Sequence, residues 1–307
     1  INKLQKEWLR AFANDKKVFE GNVNKQMFAL LTSDDPQVIP YITDLLDMPN
    51  LKNELARNAW FKLAEIGDAA AKTKVLQKAT TESNSQLLGS LAGSSEGNDA
   101  VPHNLSLLAS LITHTDLNIR TESLKLAGRW KAVQFESLVI ERAKEAKDQT
   151  EKLAALRALK SMDKMSEVIE MARSQQDPSL RGTAYAVWIE GAPDKAADEV
   201  VNFLSSLESA EMADLIFTTF RRQEEGPEIL RLALEVKNIP EEIASVGLKV
   251  VQTSGLPLGA LEEALRKAGS IKAVGMEMSK EDKEQLIADA LQNGDLGRGR
   301  KLYRRPE

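Results

Sequence analysis

Apolar and small residues recur along the chain at the three- and four-residue intervals of an α-helix. In six segments a small or apolar residue is followed by another small residue and then by Leu or Val; they begin at Ala56, Ile119, Lys152, Leu180, Met212 and Ile243. Between them lie further helical segments, at Val38 to Asp47, Phe135 to Ala146, Met165 to Ser174, Lys195 to Leu207 and Glu228 to Val236. The pattern predicts a chain of helical hairpins.

The hairpins form a repeat. The starts of the six segments are separated by 63, 33, 28, 32 and 31 residues. If the first interval holds two units, with a degenerate one at Ser85 to Gly93, the period is about 31 residues, which is typical of helical repeat proteins. We predict an all-α fold over residues 1–275: a right-handed α-α superhelix, a HEAT-like or armadillo-type solenoid of about seven hairpins. Residues 276–307 are predicted to form separate C-terminal helices.

Prolines mark the expected starts of helices, because proline at a first helical position removes no needed donor. They stand at Pro36, Pro178, Pro193, Pro227 and Pro240. Small residues inside the repeated segments would let neighbouring helices approach, so we expect them to face the core. They are Ala59, Ala127, Ala155, Ala184 and Ala213.

Two stretches resemble HEAT repeats, whose second helix commonly follows an Asp-Pro turn, has an apolar-Arg step and then small residues, and ends near Gly. They are Gln175 to Asp194 and Leu55 to Asp68. The matching positions are Asp177, Pro178, Leu180, Arg181, Ala184 and Gly191 in the first and Leu55, Ala59, Leu63 and Gly67 in the second. The resemblance covers about residues 25 to 270 and implies stacked helical hairpins.

Charge and composition limit the kinds of function that the chain can have. The chain carries a formal net charge of -5, and its last thirteen residues, from Asp295, contribute five positive and two negative charges. The rest of the chain therefore has a net charge of -8, and this acidic charge gives no sign of a nucleic-acid-binding surface. No apolar run is long enough to span a bilayer, and the absence of Cys excludes disulfides and thiolate chemistry. We expect no nucleic-acid partner and no membrane span.

No residue combination indicates catalysis or a metal site. The two histidines, His103 and His114, have no partners at the spacing of a metal or nucleophile motif, so we expect exposed or capping roles. The candidate binding residues are those that would line a concave face of the predicted solenoid: Arg57, Asn58, Arg120, Arg157, Arg181, Tyr185 and Arg221. Because the same arginines could contact DNA, a HEAT-like alkylpurine DNA glycosylase is an alternative function. The acidic body disfavours DNA binding, however, and arginines at this helix position usually bond within or between repeats.

The C-terminal sequence predicts a helix from an N-cap at Ser279 to Asn293. Beyond it, Gly294, Asp295, Gly299, Leu302 and Tyr303 resemble the opening helix of a class I c-type cytochrome domain, G-D-x-x-x-G-x-x-L-F/Y. In that family the glycine permits close helix contact and a C-x-x-C-H haem-attachment segment follows. We therefore expect such a segment to come after Glu307.

Repeats followed by this helix resemble the large exported dehydrogenase-like proteins of planctomycete and verrucomicrobial bacteria, in which a β-propeller precedes the repeats and a c-type cytochrome follows. The resemblance implies a periplasmic, electron-transfer context, with covalent haem c in a downstream domain and no cofactor in this chain. The chain itself would be a non-catalytic scaffold or spacer whose partners are other domains of the same polypeptide or a protein. The alternative is a general protein-binding adaptor, cytoplasmic or exported, with a basic tail.

Overall fold

The fold is known from a computed structural model that describes residues 7, 9–12, 18–94, 100–207, 210–272 and 280–293. Within these ranges the chain is all-helical and contains no strand, which confirms the all-α part of the predicted fold class. The chain divides into two compact units, residues 1–196 and 197–307. The superhelical stacking and the domain boundary near residue 275 stay predictions.

The first unit contains a run of α-helices joined by short turns. In chain order they are α1 (Val23–Leu31), α2 (Ile39–Leu46), α3 (Asn53–Ile66), α4 (Ala69–Thr81), α5 (Ser85–Ala92), α6 (Leu107–Ile112), α7 (Leu117–Arg129), α8 (Glu136–Glu145), α9 (Gln149–Ser161), α10 (Met165–Ser174) and α11 (Pro178–Gly191). Short 3₁₀ helices cover Val18–Gly21, Pro36–Val38 and Val133–Phe135.

These helices pack in two layers. In one layer α1 contacts α3, and the series continues through α5, α7 and α9 to α11, each helix touching the next but one in the chain. In the other layer α4 contacts α6 and α6 contacts α8. Consecutive helices such as α8 and α9, or α10 and α11, also pack against each other across the layers. Neighbouring helices of this unit therefore pack against each other, and their grouping into the hairpins of a solenoid stays a prediction.

Aspartates and prolines begin the helices where the sequence predicts. Asp177 caps α11 by accepting hydrogen bonds from the backbone N–H groups of Ser179 and Leu180, and Pro178 is the first helical residue. Asp116 and Asp148 cap α7 and α9 in the same way. Such side chains satisfy N–H groups that have no partner inside the helix, so these positions fix where each hairpin turns.

The small residues of the repeated segments lie in the core, as predicted. Ala59, Ala127, Ala155 and Ala184 in the first unit and Ala213 in the second are each 0% exposed. Their neighbours along each helix are larger apolar side chains that fill the space between layers, among them Leu63, Leu124 and Leu156. Small side chains at the contacts let the helix axes come close while the larger ones remove most of the apolar area from water.

The helix α12 (Pro193–Ser205) contains the division between the two units. The second unit continues with α13 (Glu211–Arg222), α14 (Gly226–Leu234), α15 (Glu241–Gln252), α16 (Gly259–Ala268) and α17 (Lys280–Asn293). There α13 contacts α15 and α14 contacts α16, so the same next-but-one packing recurs.

The C-terminal predictions fall partly outside the described residues. The helix predicted up to Asn293 is confirmed as α17, while its proposed N-cap, Ser279, is outside the described residues. The cytochrome-like stretch Gly294 to Glu307 also lies outside them.

Candidate binding groove

A groove in the first unit crosses the layer formed by α1, α3 and α5 and has a volume of about 780 Å³. Its apolar lining comes from Phe28 and Leu31 on α1 and from Leu55 and Phe61 on α3. Its polar lining consists of Thr32, Asn58, Lys62, Glu65, Ser90, Gly93 and Ser94. The volume falls within the range of about 300–1,000 Å³ that ligand sites in proteins occupy.

Phe28 is the most exposed large side chain of this groove, at 66%. Its neighbours Met27 and Leu30 are buried, so α1 already has a complete core-facing stripe without it. Asn22 caps α1 through the Lys25 N–H, which fixes the start of the helix and thereby the direction of Phe28. An aromatic ring held on a regular helix and left open to water is a feature of interaction surfaces.

The charges at the groove are unequally exposed. The Lys62 ammonium donates to Asp34 and lies 3.7 Å from the Glu65 carboxylate, and the Lys62 side chain is only 11% exposed. The Glu65 and Asp34 side chains are 52% and 89% exposed. The Lys62 ammonium on the lining is thus largely covered, while the Glu65 carboxylate and the Asp34 carboxylate paired with Lys62 face solvent.

The seven predicted binding residues lie on five helices. Arg57 and Asn58 are exposed on α3, and Asn58 is the one of the seven that lines the groove. The others lie on α7, α9 and α11 of the first unit, and Arg221 lies on α13 of the second.

Arg120 joins α7 to α9. Its guanidinium binds both oxygens of Glu151 on α9, with Nε at 2.7 Å from Oε1 and Nη2 at 2.9 Å from Oε2. Nη1 donates to the carbonyls of His114 and Thr115. The hydrogen bonds to Glu151, which is 2% exposed, raise the pKa of Arg120 above its ordinary value. Two-point pairing of this kind holds a guanidinium in place, so little of its charge is open to a partner.

Arg157 on α9 is also paired with a carboxylate on another helix. It binds Glu190 on α11, with Nε at 3.0 Å from Oε1, and Lys160 donates to the same carboxylate at 3.0 Å. Burial acts to raise the pKa of Glu190, but the hydrogen bonds from Arg157 and Lys160 outweigh it and the pKa lies below its ordinary value. The carboxylate is therefore ionised at neutral pH and ties α9 to α11.

The remaining three candidates are partly enclosed. Arg181 donates from Nε to the carbonyl of Ala172 near the end of α10, at 3.1 Å. Tyr185 is 3% exposed and stacks on Trp188, so its ring offers little surface to a partner. The Nε of Arg221 is buried and has no hydrogen-bond partner among the described residues. Arg120, Arg157 and Arg181 thus bond to groups on neighbouring helices or in the turns beside them.

The histidines have local roles. The backbone N–H of Asp116 donates to Nδ1 of His114 at 3.0 Å, a local contact in the turn just before α7. His103 is exposed, and its backbone N–H donates to the Thr73 hydroxyl at 2.9 Å. Among the described residues no group of three or more His, Asp and Glu side chains could hold a metal ion. No helix in the described ranges is long and apolar enough to cross a membrane.

The groove residues were missed at the sequence level, apart from Asn58. Leu31, Leu55 and Phe61 have the same helical spacing as core residues, and only their burial distinguishes them. The one available signal is Phe28, which places an aromatic next to the buried Met27, outside the apolar stripe of α1. No known protein family, curated protein or solved structure gives a significant match to this chain.

Proposed function

We propose that the chain is a non-catalytic scaffold, a helical-repeat module of the solenoid type that presents protein surface or spaces neighbouring domains. The observation that carries this proposal is the recurrence of side-chain hydrogen bonds between residues 25 to 37 positions apart, close to the repeat length. Four hydrogen-bonded pairs have sequence separations within this range: Lys62 with Asp34, Arg120 with Glu151, Lys131 with Asp163 and Arg157 with Glu190.

These links explain why the charged residues of the repeats are poor candidates for chemistry. In repeat proteins stability comes from each unit and from its contacts with the next, so side chains at the interfaces serve cohesion. Lys152 illustrates this role, because its buried ammonium donates to Asp177 at 2.8 Å and to Ser179 at 3.0 Å. Arginines already bound to carboxylates also have less positive charge to offer a phosphate backbone, which supports a protein-directed role over DNA repair.

Hydrogen exchange tests the repeat architecture. Leu124 on α7 is 0% exposed, and Leu124→Ala is expected to destabilise its own hairpin by about 2–5 kcal/mol. In a repeat array the loss of amide protection should be greatest in α5, α7 and α9 and should fall off toward α1 and α11. Uniform loss of protection throughout residues 1–196 would indicate one cooperative core and contradict the solenoid.

We further propose that the module belongs to an exported electron-transfer polypeptide, between a dehydrogenase-like and a c-type cytochrome domain. Support for this comes from the sequence alone, through Gly294, Asp295, Gly299, Leu302 and Tyr303. Reading the gene beyond Glu307 tests it. A C-x-x-C-H segment is expected within about ten residues, and a downstream reading frame without one would reject this origin.

A protein-binding adaptor is the second candidate, and the exposed Phe28 in the groove favours it. The two candidates differ in what the groove does: a pure spacer needs no ligand there, whereas an adaptor binds one. Measuring whether the folded chain binds peptide through Phe28 distinguishes them.

A further inference from the structure

We infer that the groove across α1, α3 and α5 binds an extended peptide of about six residues that carries apolar side chains flanked by Lys or Arg. This inference rests on the second candidate function, the protein-binding adaptor, and names the chemistry of its partner. It follows from the size of the groove, its apolar lining and the distribution of charge at its mouth.

The length follows from the packing of the layer. Neighbouring packed helices are about 8–10 Å apart, so the path from α1 across α3 to α5 is about 18 Å long. An extended chain advances about 3.3 Å per residue, which makes six residues enough to cross all three helices. The groove is open to solvent.

The apolar anchor point is Phe28, with Leu31, Leu55 and Phe61 beside it. Burying an exposed aromatic ring against another apolar side chain removes a large area from water, and such residues commonly supply most of the energy at protein interfaces. Asn58 and Ser90 supply hydrogen-bonding groups on the same lining. A peptide backbone has free N–H and C=O groups that need such partners when they leave water.

The charge preference follows from the Lys62 cluster. Lys62 already donates to Asp34 and has little solvent exposure, while the Glu65 carboxylate is half exposed on the lining. A basic side chain of the peptide would meet net negative charge there, and an acidic one would be repelled. The whole chain, with a net charge of -5, adds long-range attraction for a basic partner.

The first experiment selects ligands from a random twelve-residue peptide display library with the folded chain as bait. The expected result is a consensus of two or three apolar residues next to Lys or Arg. Absence of a consensus, or an acidic consensus, would overturn the inference.

The second experiment measures binding of a fluorescein-labelled consensus peptide by anisotropy. Phe28→Ala is expected to weaken binding at least tenfold, and Glu65→Gln about threefold, with the Glu65 effect shrinking as salt is raised. Both side chains are exposed, and circular dichroism confirms that the variants are folded. Val236→Ala, at a 78% exposed apolar residue of the second unit, is the matched control and should bind as the parent does.

Binding that is unchanged by Phe28→Ala would place the peptide elsewhere and overturn the inference. Sedimentation velocity tests whether a second copy of the chain occupies the groove instead. Self-association that is abolished by Phe28→Ala would assign the groove to dimerisation and contradict the peptide-binding inference. Either failure leaves the hydrogen-exchange test of the repeat architecture unaffected, so the groove and the scaffold can be rejected separately.

Discussion

Among the ion pairs of the described part of the first unit, Glu151 has the most buried carboxylate, at 2% exposed. It accepts hydrogen bonds from Nε and Nη2 of Arg120. Replacing it with Gln keeps the size of the side chain but leaves the guanidinium charge without its partner inside the protein. We expect Glu151→Gln to lower the free energy of unfolding by about 3 kcal/mol. Urea denaturation followed by circular dichroism measures this change.

Arg157 provides the matched comparison for this prediction, because its pair with Glu190 spans a similar distance in sequence but its own side chain is 48% exposed. Solvent screens such pairs, so Arg157→Ala is expected to cost less than about 1 kcal/mol. Equal losses for the two variants would mean that enclosure of the pair does not determine its contribution.

Helices α7 and α9 lie close together at Gly128. A Cβ added there would lie 2.8 Å from the Cα of Ala158 and 3.2 Å from its Cβ, and the backbone of α9 cannot rotate away as a side chain can. Gly128→Ala is therefore expected to destabilise the chain by about 1–3 kcal/mol, although alanine is the better helix former. Thermal unfolding of the purified variant measures the effect.

Gly89 in α5 is the control for that substitution. A Cβ at this position would meet only the flexible Glu122 carboxylate, at 3.4 Å. Gly89→Ala is expected to stabilise the chain by about 0.5–1 kcal/mol, because it reduces the conformational freedom lost on folding. If both glycine variants gained stability, the close approach of α7 and α9 would be disproved.

The start of a helix can be predicted from the sequence where its cause is local. Asp177 and Pro178 set the start of α11 by capping and by a fixed φ angle, and both effects are visible in two residues. The ends of α7 and α9 are harder to predict from the sequence, because Lys131 and Asp163 adopt positive φ angles of 46° and 62° at positions where glycine is usual. Side-chain pairs between hairpins, and the groove around Phe28, depend on how hairpins stack, which periodicity alone does not fix.

At the scale of the whole molecule, acid should loosen the contacts between hairpins. Burial acts to raise the pKa values of Asp177 and Glu190, but hydrogen bonds, from Lys152 to Asp177 and from Arg157 and Lys160 to Glu190, lower both values overall. A carboxyl group with a lowered folded pKa contributes stability above its unfolded pKa, about 3.9 for Asp and 4.3 for Glu, and loses it as pH falls through the folded value. The free energy of unfolding should therefore decrease steadily below about pH 5.

Glu190→Gln tests that cause directly, because glutamine cannot be protonated in this range. Relative to the parent chain, the variant should be less stable at pH 7, and the gap should narrow as pH falls toward 3 in urea titrations at each pH. Glu228→Gln is the comparison: hydrogen bonding to Arg231 lowers the pKa of Glu228, but its side chain is 60% exposed, so solvent screening should make its effect smaller and more sensitive to salt. A constant gap between Glu190→Gln and the parent from pH 7 to 3 would show that the charge of Glu190 does not hold α9 and α11 together.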